Sequence, residues 1–289
     1  MNNAHRQRGF VLILVLVIVA MAATLLSGRV RRAGQLAVDV REGAQRLQLE
    51  WANRSCRDVL LPRSRVILTD GLGRPQTLAR HELSLGGLPL TLVFGDEQAK
   101  ANVNVLAREQ GRDGLELRLL EAQRGLRRPA AIQLPPTTAG IAPVGNAVSP
   151  RSPMIFLSYD QLFAGSHPAD WFDSDWPDQS PTVRLTCWGD GRMNVRTAPR
   201  EVLHLALQRV AGEAAISTIV KLRQENPFVS LQSVLKALDL PPEKAARVSR
   251  LLCDRSETMS LWVVARSPQR QYYRFYVGSG PANTLTFGW

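Results

Sequence analysis

Arg6-Gln7-Arg8-Gly9-Phe10-Val11-Leu12-Ile13-Leu14-Val15-Leu16-Val17-Ile18-Val19-Ala20-Met21-Ala22-Ala23-Thr24-Leu25-Leu26-Ser27-Gly28 sets two arginines against a run that carries no charge from Gly9 to Gly28. Those 20 positions make a helix of about 30 Å, the hydrocarbon thickness of a bilayer. A cleaved secretory signal has a shorter apolar core and a small-x-small site beyond it. Ala20, Ala22 and Ala23 supply such a site loosely, so a cleaved signal and an uncleaved anchor are both compatible with the residues. Arg6 and Arg8 favour a cytoplasmic amino terminus. Arg29, Arg31 and Arg32 pull the other way, and charge counting alone leaves the orientation open.

Outward from the span, Leu36, Val40, Ala44, Leu47 and Trp51 recur every three or four residues, one apolar stripe on a continuing helix. Pro62 is expected to end that helix at Leu61. Strands are predicted over 66–69, 76–85 and 88–94, between the turn signals Asp70-Gly71, Gly73-Arg74-Pro75, Gly86-Gly87 and Gly95-Asp96. A helix is predicted over 115–126, followed by the Pro-rich stretch 129–153, which has little periodicity. Four helices follow, over 200–209, 213–224, 230–238 and 242–253. Two β-branched and aromatic strands, 259–265 and 271–277, close the chain as a hairpin around Ser267-Pro268-Gln269. A long amino-terminal helix, strands, helices and final strands make an α+β protein.

The composition is that of a globular chain. Of 289 residues, 45% are hydrophobic and 21% charged, which rules out wholesale disorder and a multi-span membrane protein. Lys+Arg number 36 against 25 Asp+Glu, a net charge of +11. The excess is spread thinly: basic residues outnumber acidic ones 20 to 12 up to Val148 and 16 to 13 from Ser149 onward. A nucleic-acid-binding domain concentrates its excess on one face, so no nucleic-acid partner is expected. The histidines, His5, His81, His167 and His204, stand apart from one another, and Cys56, Cys187 and Cys253 form no CxxC pair. Three cysteines permit one disulfide, with Cys187 and Cys253 the expected pair, or three buried thiols. There is no GxSxG, P-loop, GxGxxG or informative Cys–His spacing, so no catalytic activity is expected.

Arg-x-Arg-Gly-Phe ahead of an apolar run resembles a type IV prepilin leader. The resemblance implies that a prepilin peptidase cuts between Gly9 and Phe10 and methylates the new amino terminus on Phe10. It also implies a single-pass inner-membrane protein with a cytoplasmic amino terminus and a periplasmic head. Most pilins carry Glu at the fifth mature position, where this chain has Leu14. That absence resembles the type II secretion system protein K family, the large minor pseudopilins. Two further phrases are similar to that family: Asn102-Val103-Asn104-Val105-Leu106, and Asn194-Val195-Arg196-Thr197-Ala198, in which Arg196 departs from the usual Asn.

The family resemblance implies a pilin-like fold, a long amino-terminal helix packed on an antiparallel sheet, with an all-helical domain inserted into the sheet. The expected divisions are leader 1–9, helix 10–61 with the span at 10–28, first sheet segment 62–106, inserted domain 107–254 and final strands 255–289. The expected partners are the other minor pseudopilins, the major pseudopilin and the prepilin peptidase. Within the insertion, 209–231 resembles a helix-hairpin-helix unit. Those units hold DNA phosphates through a Gly-rich hairpin, but here only Gly212 remains and Glu213 follows it. Structural use is therefore expected; the alternative is a membrane-anchored nucleic-acid-binding protein of a DNA-uptake type. Asp170, Asp173, Asp175 and Asp178 lie within nine residues of each other. They are candidate calcium ligands, as some protein K relatives bind calcium in this domain, or else a solvated acidic loop.

Overall fold

The computed structural model describes residues 3–134, 156–165, 167–266, 271–278 and 283–289, with side chains from Leu12 onward. Two compact units divide the chain, residues 1–51 and 52–289. The first consists of most of helix α1 (Asn3–Ser55). Its large apolar side chains from Leu12 to Leu26 are half or more exposed. The two hydroxyls between Leu12 and Gly28 donate back to the helix, Thr24 to the Met21 carbonyl and Ser27 to that of Ala23, both at 2.8 Å. No side-chain polar group there depends on water, as a bilayer requires.

The second unit begins while the backbone is still helical. Beyond Ser55 come a π turn at Cys56–Leu60, a 3-10 turn at Leu61–Arg63 and the short helix α2 (Ser64–Ile67). The expected stop at Pro62 does not occur. Pro62 falls at the start of a new turn, where its missing N–H costs nothing. The expected strand at 66–69 is also absent. Ser64 Oγ donates to the Leu61 carbonyl at 2.6 Å and the Leu68 amide to the Ser64 carbonyl at 2.8 Å, so local bonds hold the helical turn. Only Thr69 makes a β-bridge, to Pro75. Asp70 Oδ1 then accepts the amides of Leu72 and Arg74, which turns the chain back.

Strand β1 (Leu78–Leu85) and strand β2 (Leu88–Asp96) form a hairpin. Its two-residue turn has Gly86 at φ 57° and Gly87 at φ 82°, the paired positive angles that make glycine the residue of choice here. The chain then leaves the sheet. In order come strand β3 (Ala101–Asn102), helix α3 (Val103–Ala122), helix α4 (Tyr159–Leu162), strands β4 (Leu185–Thr186) and β5 (Met193–Asn194), helices α5 (Arg200–Glu225), α6 (Leu231–Leu238) and α7 (Pro242–Leu251), and strand β6 (Leu252–Cys253). It returns as β7 (Met259–Arg266), β8 (Gln271–Gly278) and β9 (Thr284–Gly288). The sheet order is β1-β2-β7-β8-β9, every neighbouring pair antiparallel. Thus β2 and β7 are neighbours although residues 97–258 separate them. The expected turn at Ser267-Pro268-Gln269 and most of the Pro-rich stretch lie outside the described residues.

Helix α3 begins earlier than the predicted 115–126, because Asn102 caps it: its side-chain oxygen accepts the amides of Asn104 and Val105 at 3.0 and 3.2 Å. The two Asn phrases occupy equivalent places. Each follows a two-residue parallel pair, β3 with β4 and β5 with β6, and each precedes a helix broken at one glycine. Gly111 has φ 68° and ψ −173°, and Gly212 has φ 81° and ψ 172°. The stretch 156–188 is largely irregular and is held by aromatic rings. Tyr159, Phe163, Trp171 and Phe172 are buried with Trp262 of β7 and Phe275 of β8. Phe172 stacks on Trp262 at 4.3 Å between centroids.

The two helix breaks give a direct test. The backbone angles at Gly212 belong to a region essentially confined to glycine, and a side chain there costs about 1–3 kcal/mol. Gly212→Ala is expected to lower the unfolding free energy by that amount, seen as a lower urea midpoint. Gly34→Ala, on the open face of α1 with nothing within 4 Å of the added methyl, is expected to leave it unchanged or raise it slightly.

Candidate membrane anchor and assembly surface

Among the described residues α1 belongs to the one helical course long and apolar enough to cross a membrane, with a mean hydropathy of 2.3 in its most apolar window. Gly9 and Phe10 lie within this helix, on its amino-terminal side. Leu14 stands on the same uncharged stretch, where the pilin pattern has a carboxylate. The sequence supplies the anchor whole, since an unbroken apolar run is legible without any tertiary information.

A feature that sequence reasoning missed lies where the chain leaves the sheet. Asp96-Glu97-Gln98-Ala99-Lys100 reads as a polar turn, yet all five residues are buried. One oxygen of Asp96 accepts Thr197 Oγ1 and Ser256 Oγ, both at 2.7 Å, and the other accepts the Gln98 amide at 2.9 Å. Glu97 pairs with Lys100 and accepts Thr186 Oγ1 at 2.5 Å. Gln98 Nε2 donates to Asp190 at 2.9 Å, and its Oε1 accepts the Glu257 amide at 2.5 Å. Side chains from 96–100 thus tie the start of the insertion to the second Asn phrase, to Thr186 and Asp190, and to residues 256–258 at its end. A buried charge is retained only with such partners. The missed signal was the closeness of three charged residues to the end of a strongly apolar strand.

The Asn phrases act as corner pieces. Asn102 Nδ2 donates to the Trp188 carbonyl at 2.9 Å, and Asn194 Nδ2 to Ser256 Oγ at 2.7 Å. Asn104 holds the irregular stretch by accepting the Phe156 amide and donating to the carbonyls of Phe156 and Cys187. Arg196, which stands where the pattern has a second Asn, reaches further. Its Nε donates to the Val229 carbonyl at 2.8 Å, and its guanidinium lies 3.8 Å from Asp254.

The hairpin at Gly212 is braced by charge. Arg200 meets Glu213 at 2.5 Å. His204 lies between Glu121, 3.2 Å from Nδ1, and Glu213, 3.6 Å from Nε2. The glutamate that follows the glycine is therefore committed to side chains of the neighbouring helical segments.

The four aspartates do not converge. Asp173 accepts the amides of Asp175 and Trp176 and lies 3.9 Å from Arg128. Asp175 meets Arg266 at 2.6 Å and Arg80 at 3.5 Å. Asp178 accepts from Gln179, and Asp170 lies against Gly165. Among the described residues no three His, Cys, Asp or Glu side chains are placed to hold a metal ion. The aspartates, given as candidate calcium ligands or else as an acidic loop, lie in a loop that Asp175 pins to the arginines of β1 and β7. The expected Cys187–Cys253 disulfide is not formed: all three cysteines are free and buried. Cys187 Sγ donates to the Ser158 carbonyl and Cys253 Sγ accepts from Gln98, each at 3.6 Å. Burial raises all three thiols, Cys56 to about 11 and Cys253 to about 12. They therefore remain protonated and unreactive near neutrality.

A membrane-length helix, a five-stranded antiparallel sheet and a helical insertion between two neighbouring strands define a pilin-like α+β protein. No known family's sequence profile matches the chain, and no curated protein does. The structure is similar to a chain in the crystal structure of the GspK-GspI-GspJ complex from the enterotoxigenic Escherichia coli type 2 secretion system. The TM-score is 0.50 with 11% identity, covering 86% of this chain and 97% of that one. At that identity the likeness is one of fold, and it extends over nearly the whole of both chains.

Burial raises Asp96 above the usual carboxylate value, against the lowering effect of Ser256, Thr197 and the Gln98 amide. The proton is held more tightly in the folded state. That contribution is full below the unfolded value of about 4 and is lost as pH rises through the folded one. Asp96→Asn keeps an acceptor for the Gln98 amide and cannot ionise. Urea midpoints of the two proteins should diverge in favour of the variant as pH rises from about 4. Parallel profiles would mean that Asp96 is ionised in the fold without cost.

Proposed function

We propose that this chain is a minor pseudopilin of a type II secretion system. In this reading a prepilin peptidase cuts after Gly9, Phe10 becomes the methylated amino terminus and α1 stays in the inner membrane with the head in the periplasm. The protein acts by assembly rather than catalysis, packing with other minor pseudopilins and the major pseudopilin to drive secretion across the outer membrane. The observation that carries the reading is the join of an uncharged, membrane-length helix to a sheet with a large insertion, preceded by the basic Gly-Phe leader. The similar solved chain comes from a complex with fellow components of such a system, which supports partners of the same kind.

The tip of the pseudopilus is the position that suits this subunit. A charge at the bilayer centre costs at least about 2.5–3.5 kcal/mol on lenient insertion scales. A shaft subunit offsets that cost by pairing its fifth-position Glu with a neighbour's amino terminus. A subunit with none ahead of it has no such partner, and Leu14 avoids the cost. The insertion 97–258 also adds bulk that a tip accommodates more readily than a packed shaft.

Leu14→Glu is expected to reduce recovery of the other minor pseudopilins with this chain and to lower secretion of a reporter substrate. Leu14→Ile is expected to change neither. Equal assembly and secretion by the Glu variant would remove the physical support for the tip position.

A further inference from the structure

A cleft of about 310 Å³ opens between the turn at 65–76, strand β7 and the helical insertion. Its apolar lining comes from Leu68 and Met259, both buried, and from Phe228, which is 55% exposed in the α5–α6 loop. Three arginines, Arg65, Arg196 and Arg255, line it against two aspartates, Asp96 and Asp254. Both carboxylates are already engaged. Asp96 is enclosed by Thr197, Ser256 and the Gln98 amide, and Asp254 serves Arg196 and the Leu231 amide. Among the described residues Arg65 and Arg255 have no acidic partner. Next to the lining in sequence, Val66 and Leu72 are the most exposed large apolar side chains among the described residues of the second unit, at 77% and 75%.

We propose that this cleft is a docking site for an acidic, extended segment of a partner protein that inserts an apolar side chain beside Phe228. Exposed apolar surface next to uncompensated cations is an unfavourable arrangement for a surface that stays bare in water. Arginine with aromatic and aliphatic anchors is the composition of a protein-binding hot spot rather than of its rim. Two free guanidinium groups select a segment carrying carboxylates, through bidentate hydrogen bonds. A nucleic acid would meet the charge but leave Phe228 unfilled, and a second copy of this chain brings an excess of positive charge. The proposal is independent of the assembly role, since it concerns a surface away from α1's uncharged run in sequence.

The test uses the full chain in detergent micelles and a fluorescein-labelled peptide with glutamates flanking a central tryptophan, read by anisotropy. Binding is expected, weakening with added salt and falling about tenfold in the double variant Arg65→Glu, Arg255→Glu. Phe228→Ala should lower it several-fold, as should glycine in place of the peptide tryptophan. All three substituted side chains are exposed, so circular dichroism and urea midpoints should match the parent. No binding of the acidic peptide would overturn the proposal. So would affinity indifferent to these substitutions, tighter binding of duplex DNA, or self-association through the same residues.

Discussion

Eleven large apolar side chains between Leu12 and Leu26 are exposed on one helix, and the rest of the molecule has to be understood from that fact. At about 1.5 kcal/mol or more for each side chain fully withdrawn from water, their transfer is comparable to the whole stability of a typical domain, about 5–15 kcal/mol. A bilayer is an environment that withdraws such side chains from water. The folded head has its own aromatic and aliphatic core, built from residues beyond Ala52.

That head accommodates a large insertion without losing its sheet. Strands β2 and β7 pair over seven residues, from Leu90 with Ala265 to Asp96 with Met259, as if joined by a short turn. Closing a long excursion costs little more than closing a moderate one, because the entropy grows only with the logarithm of length. What it does require is fixed ends. The buried group at 96–100 supplies them: Asp96 gathers Thr197 and Ser256, Glu97 takes Thr186, and Gln98 reaches Asp190 and the Glu257 amide. The two strand–Asn–helix corners are locked to this group, so the insertion is joined to the sheet by buried polar bonds as well as by the ring contacts of Trp262 and Phe275.

Much of this architecture was legible in the residues. The span, the Gly86-Gly87 hairpin, the closing strands and the helices of 200–251 all follow from local periodicity and turn chemistry, and the structure has each of them. The misreadings came where local signals compete. Pro62 reads as a helix stop, but within the first turn of a helical segment proline is tolerated, and the helical course runs on to Ile67. Val66-Ile67-Leu68-Thr69 is β-branched and reads as strand, yet Ser64 and Asp70 hold the backbone in turns. The aspartates of 170–178 could be read as a cation site because the two arginines that meet Asp175, Arg80 and Arg266, lie some ninety residues away in sequence. For the same reason the buried network of Asp96 could not be seen: its partners come from positions 194–256. The irregular stretch 156–188 has no periodicity to read, since rings rather than backbone pairing hold it.

The central proposal is that α1 is cut after Gly9 and that its apolar run from Phe10 onward is a processed pilin-type anchor, and the mature amino terminus tests it most directly. Intact-mass measurement of the membrane-extracted protein should show a chain that starts at Phe10 and carries one added methyl group. A chain starting beyond Ala23 would mark an ordinary secretory signal, and a chain retaining Met1 through Gly9 in cells with an active prepilin peptidase would mark a plain anchor; either result would contradict the account.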